Sequence, residues 1–316
     1  MVRKKVVVLG GGTGTSTLLC GLKKMPIDIT AVIAVSDNGS STGKLRKEFS
    51  IPAVGDIRQV LTNLSPLPDE VKRVMEERLK TTSDLNGHAI GNLALTAYLK
   101  KTNSLEKSIR LMSKLLGVRQ TVLPLSEDWL TLMGETIDGE IIEGEEQIDE
   151  ANKKYKRIFY KEEPHITPSV IAKIKQADLV ILSMGSLYTS LIPNLICPEI
   201  IEAIKESKAK VMYICNLFTQ VGVTDHFTVS DHINAIENYI GKDGLDCVIV
   251  NDEKVSETFL KKYREEENKE FVRTDDENLE KMNVEVIKSS LITTEDGTVK
   301  HDALKLSSII FSYMFR

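Results

Sequence analysis

The chain has 316 residues, of which 41% are hydrophobic and 28% are charged, an ordinary composition for a soluble globular protein. Its formal net charge of −5 argues against a nucleic-acid-binding protein, and Lys and Arg form no basic cluster along the sequence. No apolar run reaches membrane-spanning length, and residues 1–5 lead into a predicted strand rather than a signal peptide. We therefore expect one cytoplasmic α/β domain over 1–316, with no nucleic acid partner and no membrane insertion.

The start of the chain predicts a strand, a glycine-rich turn and a helix. Residues 6–9 form an unbroken apolar run typical of a strand buried on both faces, and residues 16–24 have a helical pattern. A glycine turn at a helix N-terminus presents bare backbone N–H groups to an anion. The dinucleotide fingerprint is incomplete because its third glycine falls on Thr15, and the Gly-Lys-Ser/Thr ending of ATPases is absent. The predicted phosphate-binding residues are Gly11, Gly12, Thr13, Gly14 and Thr15; a tight turn without a ligand is the alternative.

A second buried strand is predicted over residues 29–35, and a small-polar loop follows it. This loop is typical of a second phosphate cradle, with Asn38, Ser40, Ser41 and Thr42 as its candidate ligands. Asp37, at the end of the strand, could bind a ribose hydroxyl or Mg²⁺, or could simply cap the loop as an Asx-turn. Asp56 begins the next predicted helix, either as its N-cap or as a second carboxylate for the same metal.

The middle of the chain predicts helices over 69–82 and 104–117, with a break between them. His88, Gly91 and Asn92 gather at this break, and Asn92 is the better ligand candidate because an amide both donates and accepts. Residues 121–162 predict a small β-rich insertion with a hairpin at Asp138-Gly139. The acidic run over 140–150 is interpreted as a solvated edge.

Three further buried strands are predicted over 178–183, 210–215 and 245–250. Each ends in small or amide side chains, and parallel strands bind ligands beyond their carboxyl ends. The candidate ligands on these loops are Gly185, Ser186, Thr189, Ser190, Asn216 and Gln220. Asp225, His226, Asp231 and His232 form a metal-like group that capping and surface hydrogen bonding explain better. The four cysteines have no CxxC spacing and are predicted to be reduced thiols.

Taken together, these motifs resemble the 2-phospho-L-lactate transferase-like family, and more closely its gluconeogenesis-factor branch. The resemblance covers nearly the whole chain. The segments that carry it are VVLGGGTGTSTLL (7–19), VSDNGSSTGKLR (35–46), GDIRQVL (55–61), GHAIGNL (87–93), GSLYTSLIPN (185–194) and CNLFTQVGVTDHFTVSDH (215–232).

The resemblance implies a Rossmann-like fold with a mostly parallel sheet and nucleotide phosphates over the first glycine loop. Transferase members move a phospholactyl group from a guanylated donor with Mg²⁺, and the metal carboxylates would fall on Asp37 and Asp56. The gluconeogenesis-factor branch is associated with UDP-sugar binding and with cell shape and wall synthesis on gluconeogenic carbon sources. That association implies protein partners in wall synthesis; the sequence leaves a homo-oligomer open.

The chain departs from the family pattern at two places, and a third place favours one branch. Asn38 stands where relatives commonly have a second Asp, which weakens the metal site, and Ser183-Met184 stands where they often have Gly-Pro. Tyr188 favours the gluconeogenesis-factor branch. The leading interpretation is a nucleotide-sugar-binding regulatory protein, and the alternative is a Mg²⁺-dependent transferase. An NAD-dependent oxidoreductase is a third interpretation, but the sequence offers no evident proton donor for a hydride step.

Overall fold

The computed structural model describes residues 3–253, 257–295 and 297–316. A seven-stranded, wholly parallel sheet is covered by helices, in the strand order β10-β9-β8-β7-β1-β2-β3. The strands are β1 (Lys5–Gly10), β2 (Asp28–Ile33), β3 (Thr121–Pro124), β4 (Leu132–Thr136), β5 (Ile141–Glu143), β6 (Tyr155–Tyr160), β7 (Leu179–Leu182), β8 (Lys210–Ile214), β9 (Cys247–Asn251), β10 (Glu285–Ser289), β11 (Ile292–Glu295) and β12 (Thr298–His301). This architecture confirms the predicted Rossmann-like α/β class.

Single α-helices connect β1 to β2 and β8 to β9, whereas five consecutive helices separate β2 from β3. The helices are α1 (Gly12–Leu22), α2 (Ser40–Phe49), α3 (Gly55–Leu64), α4 (Asp69–Glu76), α5 (Ile90–Thr102), α6 (Leu105–Leu115), α7 (Glu145–Glu150), α8 (Pro168–Lys175), α9 (Pro198–Glu206), α10 (Val229–Ile240), α11 (Glu257–Glu267), α12 (Asp276–Leu279) and α13 (Ala303–Tyr313). A π-helical turn, Leu187–Leu191, and a 3₁₀ turn, Ile192–Asn194, follow β7.

The central strand β1 is buried because its residues are apolar on both faces. Val8 and Leu9 are fully buried, and β1 pairs with β2 on one side and β7 on the other. The chain winds outward from β1 through β2 to β3, and then returns to β7 and winds the other way. The carboxyl ends of β1 and β7 therefore border a topological switch point, where open parallel sheets bind ligands.

The region 121–162 divides between two sheets. Thr121–Pro124 forms β3, the edge strand of the main sheet, so it is not part of a separate insertion. The rest contains a three-stranded antiparallel sheet in the order β5-β4-β6, together with α7. Its β4–β5 hairpin turns at Asp138-Gly139, as predicted, with Gly139 in the left-handed region at φ 84°.

Helix α4 ends at Glu76, six residues before the predicted helix over 69–82 ends. The following residues leave the helix because their backbone pairs across a short reverse turn. Leu79 N–H donates to the His88 carbonyl at 3.0 Å, and Ile90 N–H donates to the Glu77 carbonyl at 3.0 Å. Tertiary pairing thus overrides helical propensity in this segment.

Helix α1 packs against α13 through Gly21. A Cβ atom at Gly21 would overlap the Ala303 carbonyl and the Ser307 hydroxyl. We expect Gly21→Ala to lower the free energy of unfolding by about 1–3 kcal/mol, because an added methyl forces these helices apart. Denaturant unfolding measures the change. Thr17→Ala, one turn earlier on the same helix, is the control, and equal stabilities of the two variants would contradict close α1–α13 packing.

Candidate functional site

The loops after β1, β2 and β7 and the start of α3 surround the switch point; we call this region the switch-point crevice. Gly11 precedes α1 in extended conformation, and no side chain caps this helix. Gly12 then adopts φ 64°, a left-handed conformation that glycine tolerates best. Gly185 and Ser190 approach from the β7 side, since a Cβ on Gly185 would lie 3.6 Å from the Gly11 carbonyl oxygen and one on Gly11 would lie 3.9 Å from Ser190 Cβ. Residues predicted on separate loops are therefore neighbours here.

Asp56 occupies the anion position at the N-terminus of α1. It is the second residue of α3, whose N-cap is Val54, so the N-cap interpretation of Asp56 was wrong. Its carboxylate instead lies against the glycine turn, where the Gly12 backbone N–H partly offsets the rise in its pKa. A Cβ on Gly11 would lie 2.5 Å from Asp56 Oδ2, so only glycine leaves room for this approach.

Asp37 lies beside the start of α3, since a Cβ on Gly55 would lie 3.0 Å from Asp37 Oδ2, and its loop is held by hydrogen bonds. Its Oδ1 accepts a hydrogen bond from the Gly39 N–H at 2.9 Å, the Asx-turn geometry that was one of the predicted alternatives. The buried Arg46 guanidinium donates to the Ser36 carbonyl at 2.7 Å, to the Asp37 carbonyl at 2.8 Å and to the Leu130 carbonyl at 2.6 Å. One cation thus fixes the loop after β2 against the segment leading into the antiparallel sheet.

Two acidic residues of α7 complete the crevice, and sequence reasoning missed both. Ile148 is fully buried and anchors α7, so Glu145 and Asp149, four residues apart, share a neighbouring face. The interpretation of 140–150 as a solvated edge was therefore wrong for these two side chains. The sequence contained a signal for this burial, because Ile148 is the one apolar residue of α7 and such a residue marks one face of a helix as buried.

Asp149 holds the β7 and β8 loops together. Its carboxylate accepts from Thr189 Oγ1 at 3.0 and 3.1 Å, from Gln220 Nε2 at 2.8 Å and from Ser186 Oγ at 3.3 Å. Ser186 Oγ also lies 2.8 Å from Gln220 Oε1. Three of the predicted ligand residues are thereby fixed by an acidic residue that the sequence analysis did not select.

The carboxyl groups of the crevice are crowded, and their pKa values are raised accordingly. Burial, and then the charge of Asp37, raises the pKa of Asp56 to about 7, against the opposing effects of the Gly12 N–H and of Arg58. Burial, and then the charges of Asp37, Asp149 and Asp56, raises the pKa of Glu145 to about 9. Burial also raises the pKa of Asp149. Such a site favours protons or a cation, because unneutralised carboxylates in a poorly solvated space repel one another.

The start of α2 is supported by a buried polar chain. Ser41 Oγ lies 3.0 Å from His88 Nδ1 and accepts from Asn92 Nδ2 at 3.2 Å. Arg58 Nε in turn donates to Asn92 Oδ1 at 3.2 Å. His88 and Asn92 are thus brought beside the predicted second phosphate loop, behind its backbone.

The other predicted ligands mainly shape the loops. Thr15 is buried and bonds to the Gly11 carbonyl and Ser183 Oγ, while Thr13 accepts from Gln59. The Asn38 amide bonds to Gln147 and to the Glu146 N–H at the start of α7. Asn216 donates to the Gly185 carbonyl at 2.6 Å. Gly14 packs on Met184, Thr42 is buried beside Gly55, and Ser40 is exposed at φ 45°.

Capping and surface contacts account for Asp225, His226 and Asp231, as predicted, but His232 is fully buried, with its Nδ1 2.9 Å from the Thr228 carbonyl oxygen. Thr228 and Asp231 form a reciprocal capping box at the start of α10. His226 bonds to Glu270, and Asp225 accepts from the Gly222 N–H. The four cysteines are free thiols, with Cys20 partly exposed and the others buried.

The family model described as 2-phospho-L-lactate transferase CofD matches residues 6–292, a span that contains every element of the crevice. The chain belongs to this family. The finding confirms the resemblance carried by the sequence motifs.

The gluconeogenesis factor of Halalkalibacterium halodurans is 42% identical over 313 residues, which are 98% of this chain and 96% of that protein. The gluconeogenesis factor of Bacillus subtilis is 40% identical over 309 residues, 98% of this chain and 97% of that one. A crystal structure of a Bacillus halodurans protein has a TM-score of 0.95 at 41% identity and covers 98% of this chain and 100% of its own. This member of the CofD family is thus similar to gluconeogenesis factors over nearly its whole length.

The donors in the crevice fit the Mg²⁺ that the family resemblance implies. Asp37 and Asp56 offer hard carboxylate oxygens near the start of α3, and Mg²⁺ commonly uses one or two carboxylates with phosphate oxygens and waters. Across the described ranges, no group of three or more His, Cys, Asp or Glu side chains is arranged to hold a metal ion. A Mg²⁺ ion held by these two carboxylates, with a bound diphosphate supplying further ligands, is consistent with both observations.

In the part of the chain that the structure describes, no single helix is long and apolar enough to cross a membrane. One pair, Leu187–Asn194 and Pro198–Glu206, has that length and composition together but is bent by 62°.

Asp149→Ala should loosen the β7 loop, because Thr189, Gln220 and Ser186 would lose their shared acceptor. We expect the free energy of unfolding to fall by about 1–3 kcal/mol, and amide hydrogen exchange over residues 185–191 to become faster. Glu150→Ala, an exposed neighbour on the same helix, is the matched control. Unchanged exchange in the Asp149 variant would show that the loop is ordered without this carboxylate.

Asp56→Asn should stabilise the metal-free protein in a pH-dependent way. The pKa of Asp56 rises from 3.8 to about 7 on folding, so the folded state binds the extra proton and stability falls as pH rises through that range. The variant should match the wild type near pH 4 and exceed it by roughly 1–3 kcal/mol at pH 8. Urea unfolding in EDTA tests this, with exposed Asp84→Asn as the control. A variant less stable at pH 8 would mean that the effect of the Gly12 N–H outweighs the cost of burying the charge.

Proposed function

We propose that this chain is a cytoplasmic nucleotide-sugar-binding gluconeogenesis factor. In this proposal it binds a UDP-sugar in the switch-point crevice and regulates cell shape and wall synthesis during growth on gluconeogenic carbon sources. It acts on protein partners in wall synthesis rather than by turnover. The gluconeogenesis factors to which it is about 40% identical support this function.

The observation that carries the proposal is a pair of helix N-termini without side-chain caps at one crevice. Helix α1 begins at Gly12 and α2 begins at Ser40, and their N-cap residues, Gly11 and Gly39, have no side chain that could cap them. Uncapped helix N-termini leave backbone N–H donors and positive dipole ends for an anion. Two such ends, after neighbouring strands at a switch point, suit the two phosphates of a nucleotide diphosphate.

A diphosphate entering this crevice meets carboxylates as well as N–H groups, so a divalent cation must accompany it. Asp37 and Asp56 would both hold Mg²⁺, and the bound metal would neutralise the phosphate charge. Asp56 would then leave the Gly12 N–H and make it available to a phosphate oxygen. We therefore expect nucleotide affinity to depend on Mg²⁺ and to rise with pH through about 7, because the metal binds the ionised form of Asp56.

The wall formed by the β7 and β8 loops and α7 suits the sugar and base. Ser186, Gln220 and Asp149 present hydroxyl, amide and carboxylate groups beside the phosphate position. This mixture of donors and acceptors matches sugar hydroxyls, which also donate and accept.

The first test is thermal unfolding against UDP-N-acetylglucosamine, GDP, GTP and NAD, each with and without Mg²⁺. A ligand at 100 times its Kd stabilises the folded state by about 2.7 kcal/mol, which a melting curve resolves. A shift specific to the UDP-sugar and dependent on Mg²⁺ is expected. No shift with any nucleotide would overturn the proposal.

Gly12→Asp and Gly12→Asn separate charge from shape at the phosphate position. Both side chains have the same size and tolerate φ 64°, but only Asp sets a negative charge against the phosphates. We expect Asp to weaken UDP-sugar binding at least about tenfold more than Asn, as measured by calorimetry. Equal affinities in two folded variants would remove the glycine loop from the binding site.

The second candidate is a Mg²⁺-dependent 2-phospho-L-lactate transferase-type enzyme, favoured by the carboxylates Asp37 and Asp56. Phosphorus-group transfer needs mainly positioning and charge neutralisation, which a crevice of this type can supply. A Mg²⁺-dependent shift with guanine nucleotides, followed by release of the nucleotide product, would favour this enzyme over the regulator.

A further inference from the structure

A second concave region lies at the edge of the sheet opposite the switch-point crevice, where β1, β2 and β3 begin. Its volume is about 510 Å³, within the range of small-molecule pockets. Four separate stretches of the chain bring six cationic side chains to its walls, and only one carboxylate, Asp28, lines it. The cations are Arg3, Lys5, Lys23, Lys24, Arg119 and Lys173, and we call this region the cationic cleft.

The positive charge of the cationic cleft is poorly neutralised by its surroundings. No hydrogen bond or ion pair joins the side chains of Lys24, Arg119 or Lys173 to any residue that the structure describes. The ammonium groups of Lys23 and Lys5 bond to neutral oxygens, the Asn63 carbonyl at 2.7 Å and Gln176 Oε1 at 3.3 Å, whereas the Lys5 backbone N–H donates to the Asp178 carboxylate at 2.7 Å.

Asp28, the single carboxylate of the cationic cleft, neutralises the charge of only one cation, and does so weakly. Arg3 approaches Asp28 at 4.0 Å, and both side chains are largely exposed, so this pair contributes little. Burial lowers the pKa of Lys23, and the charges of Lys72 and Lys24 lower it further. Cations are thus crowded together in a protein whose formal net charge is −5.

We propose that the cationic cleft binds a soluble small molecule that carries two or more phosphate groups. Each phosphate monoester has a charge of about −1.5 to −2, so two groups neutralise most of the excess of positive charge in the cationic cleft and three groups neutralise all of it. Guanidinium groups from Arg3 and Arg119 suit bidentate phosphate contacts, and the lysines add point charges around them. An acidic peptide spreads its charge over a longer chain than a pocket of this volume accommodates.

This site is separate from the nucleotide site. Strand β1 spans the six residues Lys5–Gly10, so the glycine loop is roughly 17 Å from the cationic cleft at about 3.3 Å per residue. Ligand binding here therefore does not depend on the function proposed for the switch-point crevice.

The test is calorimetric titration of the full chain with inorganic tripolyphosphate, in EDTA and low salt. We expect saturable binding that weakens as salt rises, because salt screens exposed charges. Lys24→Glu combined with Arg119→Glu should weaken it at least about tenfold, since two charge-assisted contacts are lost. Gly12→Asp, at the other end of β1, should leave it unchanged.

Lys281→Glu is the matched control, because Lys281 is exposed at the same edge of the sheet but precedes β10, four strands away from β1. If the double variant does not fold, the single variant Lys173→Glu replaces it. The proposal is overturned if the wild type does not bind tripolyphosphate, or if the charge-reversal variant binds as tightly as Lys281→Glu. It is also overturned if a glutamate peptide of equal charge binds as tightly at the same ionic strength.

Discussion

The structure depends on the parallel pairing of β1 with both β2 and β7. This pairing buries an apolar strand on both faces and places the carboxyl ends of three neighbouring strands at one edge. From β1 the chain proceeds toward β3, and from β7 it proceeds toward β10 at the other side of the sheet. The loops after β1 and β7 therefore diverge and leave a crevice between them. The crevice and the position of the α1 N-terminus at its edge follow from this topology. The hydrophobic core supports the polar side chains around the crevice but contributes no functional group itself.

The crevice combines two opposing electrostatic features. Helix N-termini favour an anion, whereas Asp37, Asp56, Glu145 and Asp149 favour a cation. The two features partly satisfy each other, since the Asp56 carboxylate lies beside the Gly12 N–H. The remaining conflict appears as raised pKa values, and a nucleotide with its metal is a ligand that would relieve both sides at once. Keeping these carboxylates buried costs stability, which is common where a site is organised for binding.

The antiparallel sheet and α7 form one wall of the switch-point crevice. Arg46 ties the Leu130 carbonyl to the loop that carries Asp37, and Asp149 ties α7 to the β7 and β8 loops. The insertion therefore joins both halves of the parallel sheet across the switch point. Movement of α7 would alter Asp37, Ser186 and Gln220 together, so the insertion couples the two walls that a bound nucleotide would touch.

The sequence alone determined the fold class, the places of the central parallel strands along the chain and the glycine turn, because these follow from short-range patterns. Unbroken apolar runs such as 6–9 have few alternatives to a buried strand, and Gly11-Gly12 must lie at a turn. The family was also legible from motifs spread over the whole chain. Local signals of this kind do not require knowledge of what packs against them.

Tertiary structure alone decided which polar groups meet. The helix predicted over 69–82 ends at Glu76 because Leu79 pairs with His88 across a turn, and β3 joins the main sheet because β2 offers it an open edge. Glu145 and Asp149 enter the crevice because Ile148 anchors their helix, and the cationic cleft exists because four distant stretches end at the same sheet edge. These outcomes depend on contacts between segments far apart in the chain, and no local pattern of residues specifies such contacts.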